Sequence, residues 1–329
     1  MELRILNANE VREALPMAAA IEGMKDAYGQ LAAGEATVPL RTQVDVPEHQ
    51  GVTLFMPAYL PERGALAVKV VSVFPENVKQ KLPTIHGVVL ALDARSGRPL
   101  ALLEGGTLTA IRTGAASGAA TDLLARPEAE TVAIIGSGVQ ARTQLEAVCT
   151  VREIKRVRVF SLDQEEARAF AAEMIGRGPI PDMIMLADSA ETAVRDADIV
   201  CTATTSTQPV FPGHVLAPGT HVNAIGAFRP DMQEVDVETI RRSVVVVDSR
   251  EAVLAEAGDL IIPLEAGEID ESHIHAELGE IVNGSRPGRR NPEEITYFKS
   301  VGVAVQDAVA ASVALAKAEA RDLGTVVSL

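Results

Sequence analysis

Cysteine is scarce in this sequence: Cys149 and Cys201 are the only two in 329 residues, both in apolar surroundings and without CxxC spacing. That spacing excludes a disulfide framework or a zinc ribbon and predicts buried thiols in a reducing compartment. Long apolar runs are missing as well, since no window approaches the ~20 residues of a membrane span. The opening MELRILNANEVREAL places charges where a signal peptide would carry its apolar stretch. A cytoplasmic protein with no membrane segment is expected. Positive charge is also in short supply, with 30 Lys and Arg against 45 Asp and Glu and a formal charge of -15. Nucleic acid is therefore disfavoured as a partner, and an anionic substrate would need a local concentration of Arg and Lys. Neither repeats nor a low-complexity linker are present.

What is there is an aliphatic chain, 47% apolar and long enough for about two domains. Its texture changes near 129, where PEAETVAIIGSGVQART begins. Before that point MAAAIEGMKDAYGQLAAG reads as a helix ending at Gly34. Strand-like runs follow at Thr53 to Met56, Leu66 to Val73 and Gly87 to Leu92, the last closing on the turn DARSG. A further helix over 107–125 has Thr107 or Thr109 as its expected cap. Beyond 131, TVAIIGS, RVRVFS, DIVCTAT, HVNAIGA and SVVVVDS alternate with helical stretches, the pattern of a parallel doubly wound sheet. The expected fold is thus α/β: an α+β substrate-binding and dimerisation domain over 1–128 and a Rossmann domain over 129–304. The last helix, about 305–329, is expected to pack back on the first domain.

Gly136-Ser137-Gly138-Val139-Gln140-Ala141 is a GxGxxA pattern that follows an apolar strand and opens a helix. In that context Gly136 makes the tight turn, Gly138 lets backbone N–H groups approach a pyrophosphate, and Ala141 allows close helix packing. About 20 positions on, Ser161 stands where an NAD site commonly has Asp or Glu, and Asp163 follows two residues later. Asp163 is either a ribose partner or a helix cap. No Arg follows Ser161 to meet a 2′-phosphate, so NAD and NADP both remain open, with the balance tipped to NAD.

Lys69 interrupts the apolar strand ALAVKVVSVF, where a charge needs either solvent or a partner. Arg112 lies among Ala, Ile, Thr and Gly, and Arg41 sits in a Pro-flanked loop. His273 and His275 have no third ligand at useful spacing, so no metal site is expected.

GSGVQA, PTIHG, EGGTLTAIRTGAASG, NAIGAFRPDMQEVD, HAELGEIVNG and EEITYFKSVGVAVQD together resemble the ornithine cyclodeaminase/mu-crystallin family over nearly the whole chain. The resemblance implies a homodimer and NAD(P)-dependent hydride chemistry on a small carboxylate-bearing imine or amino acid. It marks Arg41, Lys69 and Arg112 as the group that holds the substrate carboxylate, with Lys69 as proton donor or acceptor and Thr84 lining the pocket or the nicotinamide. It also places Thr202, Ala203, Thr204 and Thr205 beside the cofactor, with Asn223, Ala224 and Gly226 near the nicotinamide. His86 and Asp307 are open between a site role and a supporting one.

Two positions break the cyclodeaminase pattern. Phe228 stands where those enzymes carry an Asp that handles the substrate amines, and Leu54 stands where they carry a carboxylate for the distal ammonium. A diamine would be desolvated without partners there, unless Asp231 bends inward to substitute. Reduction of an imino or keto acid, or of a cyclic ketimine, therefore leads. A cyclodeaminase that recycles its own NAD and an NADPH-holding binding protein are the alternatives.

Overall fold

In the computed structural model, residues 2–39 and 41–329 are described. In chain order the first elements are β1 (Glu2–Leu6), α1 (Ala8–Ala14), α2 (Met17–Ala32), β2 (Thr42–Val46), β3 (Gly51–Leu60), β4 (Ala65–Val73), β5 (Ile85–Asp93), β6 (Pro99–Glu104) and α3 (Gly105–Leu124). Then come β7 (Thr131–Ile135), α4 (Val139–Val151), β8 (Arg156–Phe160), α5 (Gln164–Met174), β9 (Ile184–Leu186), α6 (Ala190–Val194), β10 (Ile199–Thr202), β11 (Thr207–Phe211), β12 (His221–Ala224) and β13 (Gln233–Val235). The last are α7 (Val237–Arg241), β14 (Ser243–Val247), α8 (Arg250–Glu256), α9 (Gly258–Glu265), β15 (Ile274–Glu277), α10 (Leu278–Val282), β16 (Ile295–Lys299), α11 (Ala304–Arg321) and β17 (Thr325–Ser328).

Two compact units result. One comprises Met1–Arg112 and Ala304–Leu329, the other Thr113–Val303, so the division falls within α3, ahead of the change in texture at 129.

The first unit is a seven-stranded sheet in the order β17-β1-β6-β5-β4-β3-β2. Its hairpins are antiparallel, while β1 joins β6 in parallel. Alternation decides its two faces. Ala65, Ala67 and Lys69 of β4 are buried, together with Met56, Ala58 and Leu60 of β3 and Val89 of β5. On this side α11 packs against β3, β4 and α2. The opposite side carries Phe55, Val70 and Val88 in one cross-strand row and Pro57, Val68 and Leu90 in the next, and Phe55 and Val88 are exposed. The helix that follows β6 is capped by neither expected threonine. Glu104 does this instead, its carboxylate accepting from the N–H groups of Gly106 and Thr107 at 2.7 Å each.

The second unit is an eight-stranded parallel sheet in the order β15-β14-β16-β12-β10-β7-β8-β9. Numbered in chain order from β7, the strands read 7-6-8-5-4-1-2-3: the run 5-4-1-2-3 follows the doubly wound dinucleotide order, and β16, β14 and β15 extend the sheet beyond it. Val132, Ala133, Ile134 and Ile135 are all buried, as a strand covered on both faces requires. The order reverses between β7 and β10, and the switch point at their carboxyl ends is where such sheets bind ligands.

Candidate active site

In the first unit, β4 turns Lys69 inward, α3 brings Arg112 and α11 brings Asp307. Lys69 Nζ lies 2.7 Å from one Asp307 oxygen, and Arg112 Nε lies 3.2 Å from the other, all three side chains being buried. Two cations thus share one carboxylate inside the protein. Burial above all, with the positive charges of Arg112 and Arg41, lowers the Lys69 pKa to about 8 against the raising effect of Asp307. Arg41 is therefore close enough to belong to the same electrostatic cluster. The contacts to Asp307 leave its two oxygens and Arg112 Nε without a well-aligned hydrogen bond. Buried polar atoms in that state are costly, and an arriving carboxylate with an imine or amine nitrogen can satisfy them.

Arg112 is held from behind. Its terminal nitrogen donates to Gln306 Oε1 at 2.8 Å, and Gln306 Nε2 reaches the Tyr28 hydroxyl at 2.7 Å, so α2 and α11 orient the guanidinium. Neither Gln306 nor Tyr28 stands out in the sequence, because each lies in an ordinary helical stretch. Asp307, left open by the sequence, lies at the centre of the cluster.

The strand register shows what surrounds Lys69. Met56 pairs with Lys69 and Leu54 with Val71, so Leu54, Met56 and Val71 share the Lys69 face and form an apolar wall. His86 pairs with Ser72 and therefore lies on the opposite, exposed face, which removes it from this cluster. Thr84 precedes β5, and its carbonyl accepts from the Phe74 N–H at 2.8 Å.

In the second unit, the glycine loop leaves β7. Gly136 has φ 108°, a conformation that L side chains avoid, and a Cβ there would meet the Ala203 carbonyl at 2.5 Å. Gly138 is the N-cap of α4 with no side-chain cap, so the first N–H groups of that helix have no side-chain acceptor. A Cβ at Gly138 would meet nothing within 4 Å, and Gln140 Oε1 is buried without a partner. Open space before a bare positive helix end fits a pyrophosphate. Val139 is exposed beside the loop, while Ala141 is fully buried against β7.

At the ribose position, Ser137 Oγ bonds to Ser161 Oγ at 3.1 Å. Asp163 caps α5 with its carboxylate, accepting from Glu165 and Glu166 N–H groups, so its side chain is engaged in the cap. Asp231 faces outward in a surface pair with Arg229, and Phe228 is exposed. Asn223 and Ala224 are fully buried, the Asn223 amide being bonded to Thr121 and His221. Thr202 is buried as well, while Ala203 and Thr204 are half-buried. Among the nominated residues, Lys69 and Arg112 come together on Asp307 in one unit, and Arg41 acts on Lys69 through its charge. Gly136 to Gln140, Ser161 and the 202–204 segment gather at the switch point of the other.

A model of the ornithine cyclodeaminase/mu-crystallin family matches residues 1–322. A Delta(1)-pyrroline-2-carboxylate reductase of Bacillus cereus is 43% identical over 321 residues, 97% of this chain and 98% of that protein. The solved Delta(1)-pyrroline-2-carboxylate reductase of Thermococcus litoralis, in complex with NADH and L-proline, is 48% identical with a TM-score of 0.92 over 98% of this chain and 99% of that one. An archaeal alanine dehydrogenase dimer with bound NAD is 33% identical and superposes over the full length of both chains with a TM-score of 0.92.

Proposed function

The chain belongs to the ornithine cyclodeaminase/mu-crystallin family, and on that footing we propose that it reduces Delta(1)-pyrroline-2-carboxylate to proline. It is an NAD(P)-dependent oxidoreductase that interconverts a small imino acid, or cyclic ketimine, and its amino acid. The observation that carries the choice of substrate is the cluster of Lys69, Arg112 and Asp307 beside an apolar wall of Leu54, Met56 and Val71. One carboxylate and one ring nitrogen are satisfied there, and the remaining ring carbons need only apolar contact.

In this reading the first unit holds the substrate and makes the subunit contact, while the second binds the dinucleotide through Gly136, Ser137, Gly138 and Gln140 and through the 202–204 and Gly226 loops. When bound, the nicotinamide supplies the hydride. Arg112 and Arg41 bind the carboxylate, and the planar guanidinium suits two charge-assisted bonds at once. Lys69 in its ammonium form gives its proton to the nitrogen and takes it back in the reverse direction. Its lowered pKa suits that exchange near neutrality. Asp307 keeps Lys69 oriented and balances its charge.

Ser161 follows β8 with a hydroxyl, and the Asp163 carboxylate is engaged in the helix cap, so the ribose position neither demands a free 2′-hydroxyl nor repels a 2′-phosphate. Both NADH and NADPH are taken as reductants. The bare apolar face of the first sheet, with Phe55, Val70 and Val88 at its centre, pairs with a second copy of the chain to make a homodimer. No described helix is long and apolar enough to cross a membrane, and both cysteines are buried and unpaired, which supports a cytoplasmic location.

The test is reduced-nicotinamide absorbance with purified protein and Delta(1)-pyrroline-2-carboxylate, run beside ornithine with NAD scored for ammonia. Substrate-dependent oxidation of NADH or NADPH is the expected result. Ammonia from ornithine with no net change in cofactor would replace this reading with cyclodeamination.

A further inference from the structure

A second buried charge cluster lies in the dinucleotide unit. Glu234 of β13, Asp259 of α9 and Lys299 of β16 are all fully buried. Lys299 Nζ reaches Asp259 at 2.7 Å, and the other Asp259 oxygen accepts the backbone N–H of Glu234 at 2.6 Å. Glu234 then presents its carboxylate to two separate loops. One oxygen accepts from the Thr204 N–H at 2.6 Å and hydroxyl at 2.8 Å, and the other from the Thr202 hydroxyl at 2.8 Å and the Gly226 N–H at 2.7 Å. Thr202 ends β10, Thr204 follows it, and Gly226 follows β12, so a single side chain ties together the carboxyl ends of two adjacent strands.

The approach is close enough to dictate a residue type. A Cβ at Gly226 would stand 2.4 Å from Glu234 Oε1 and 2.3 Å from the Thr204 carbonyl, so only glycine lets this loop reach the carboxylate. Burying a carboxylate this completely is expensive unless its bonds are made. A strand needs no such group to end, and apolar residues would close the sheet at lower cost.

We propose that Glu234 is a positioning residue for the dinucleotide: it fixes the 202–204 and Gly226 loops in register with one another at the carboxyl edge of the sheet, with Asp259 and Lys299 holding its backbone in place. The inference rests on the oxidoreductase reading. Glu234 touches neither substrate nor reacting atoms and acts through the loops it holds.

Glu234→Gln keeps the shape but places an amide donor opposite the Gly226 N–H, which cannot turn away. Two readouts of the cofactor-free protein test the consequence. In hydrogen exchange, the Thr204 and Gly226 amides should lose protection by about tenfold or more, the equivalent of one lost bond to a charged acceptor, while Val222 and Ala224 of β12 keep theirs. In a titration of NADH fluorescence, the dissociation constant should rise by about tenfold, with KM for the imine within twofold of wild type.

Should Glu234→Gln fail to fold, Thr202→Val removes one of the four bonds in a nearly isosteric way and should weaken NADH by two- to fivefold. Where both fold, the double variant should weaken NADH by less than the product of the two single losses, because both changes act on the same side chain. Protection lost across the whole sheet, or NADH affinity within twofold of wild type in either variant, overturns the inference. A wild-type protein that binds no reduced dinucleotide sinks the oxidoreductase reading first, and this inference with it.

Discussion

Lys69 and Lys299 give the same signal in the sequence, a lysine inside an apolar strand, and the fold assigns them different surroundings. Lys299 donates to Asp259 with good geometry inside a closed network. Lys69 faces a carboxylate that it shares with Arg112, among atoms that still lack aligned partners. In the proposed mechanism reduction uses the Lys69 ammonium, so kcat/KM in that direction should hold at low pH and fall tenfold per pH unit above about 8, the lowered value of its pKa. Lys69→Arg, which does not titrate in this range, should remove that limb. Lys69→Ala should lose roughly 10²- to 10⁴-fold in turnover while NADH still binds; a pH–rate profile and a fluorescence titration measure both. Asp307 was only half legible: a carboxylate in the first turn of a helix is ordinary capping chemistry, and nothing in its neighbourhood announces Lys69, 238 positions earlier. Such pairs form only when the sheet and the helix meet.

At the scale of elements, what could be read was what is periodic. The apolar runs of β4, β7 and β14 and the glycine loop before α4 follow from spacing alone. What escaped are pieces whose only reason is a distant neighbour: β1 and β17, five and four residues long, form because β1 pairs with both β17 and β6. The cap of α3 escaped for the same kind of reason, since Glu104 ends a strand and competes with two threonines that look better suited. The junction of β8 and α5 carries a prediction about the cofactor. Ser161→Asp should restore a ribose-binding carboxylate and cut kcat/KM with NADPH at least tenfold relative to NADH, from steady-state rates with each. Strand β12 carries another. His221 is fully buried between Thr296 and Asn223, and burial holds its pKa down to about 3. Between that value and the ordinary 6.5 the unfolded chain takes a proton that the folded one refuses, so stability is full above 6.5 and is lost as pH falls. The loss at pH 5 is about 2 kcal/mol. Urea midpoints at pH 7.5 and 5 should differ accordingly, and His221→Gln should shrink the difference.

For the whole molecule, the proposed dimer makes a prediction about the unpaired face of the seven-stranded sheet. Its central row, Phe55, Val70 and Val88, is apolar on the side away from α2 and α11. A contiguous apolar surface of this kind marks an interface. Light scattering should find a dimer, and Val70→Glu should give a monomer by burying a carboxylate at the centre of the contact. A dimer that survives this change would move the interface elsewhere.

The two units also differ in how the chain is spent on them. The dinucleotide unit is one unbroken stretch, whereas the sheet that holds Lys69 takes its last helix and its edge strand from the far end of the chain. On a ribosome adding about 5 to 20 residues per second, the nascent first segment waits on the order of ten seconds or more for α11 and β17 to emerge. Until then Lys69 has no Asp307, and the apolar side of its sheet has no cover. The dinucleotide unit is thus the earlier to be complete, and the interval before α11 and β17 emerge is when a holdase chaperone has most to protect.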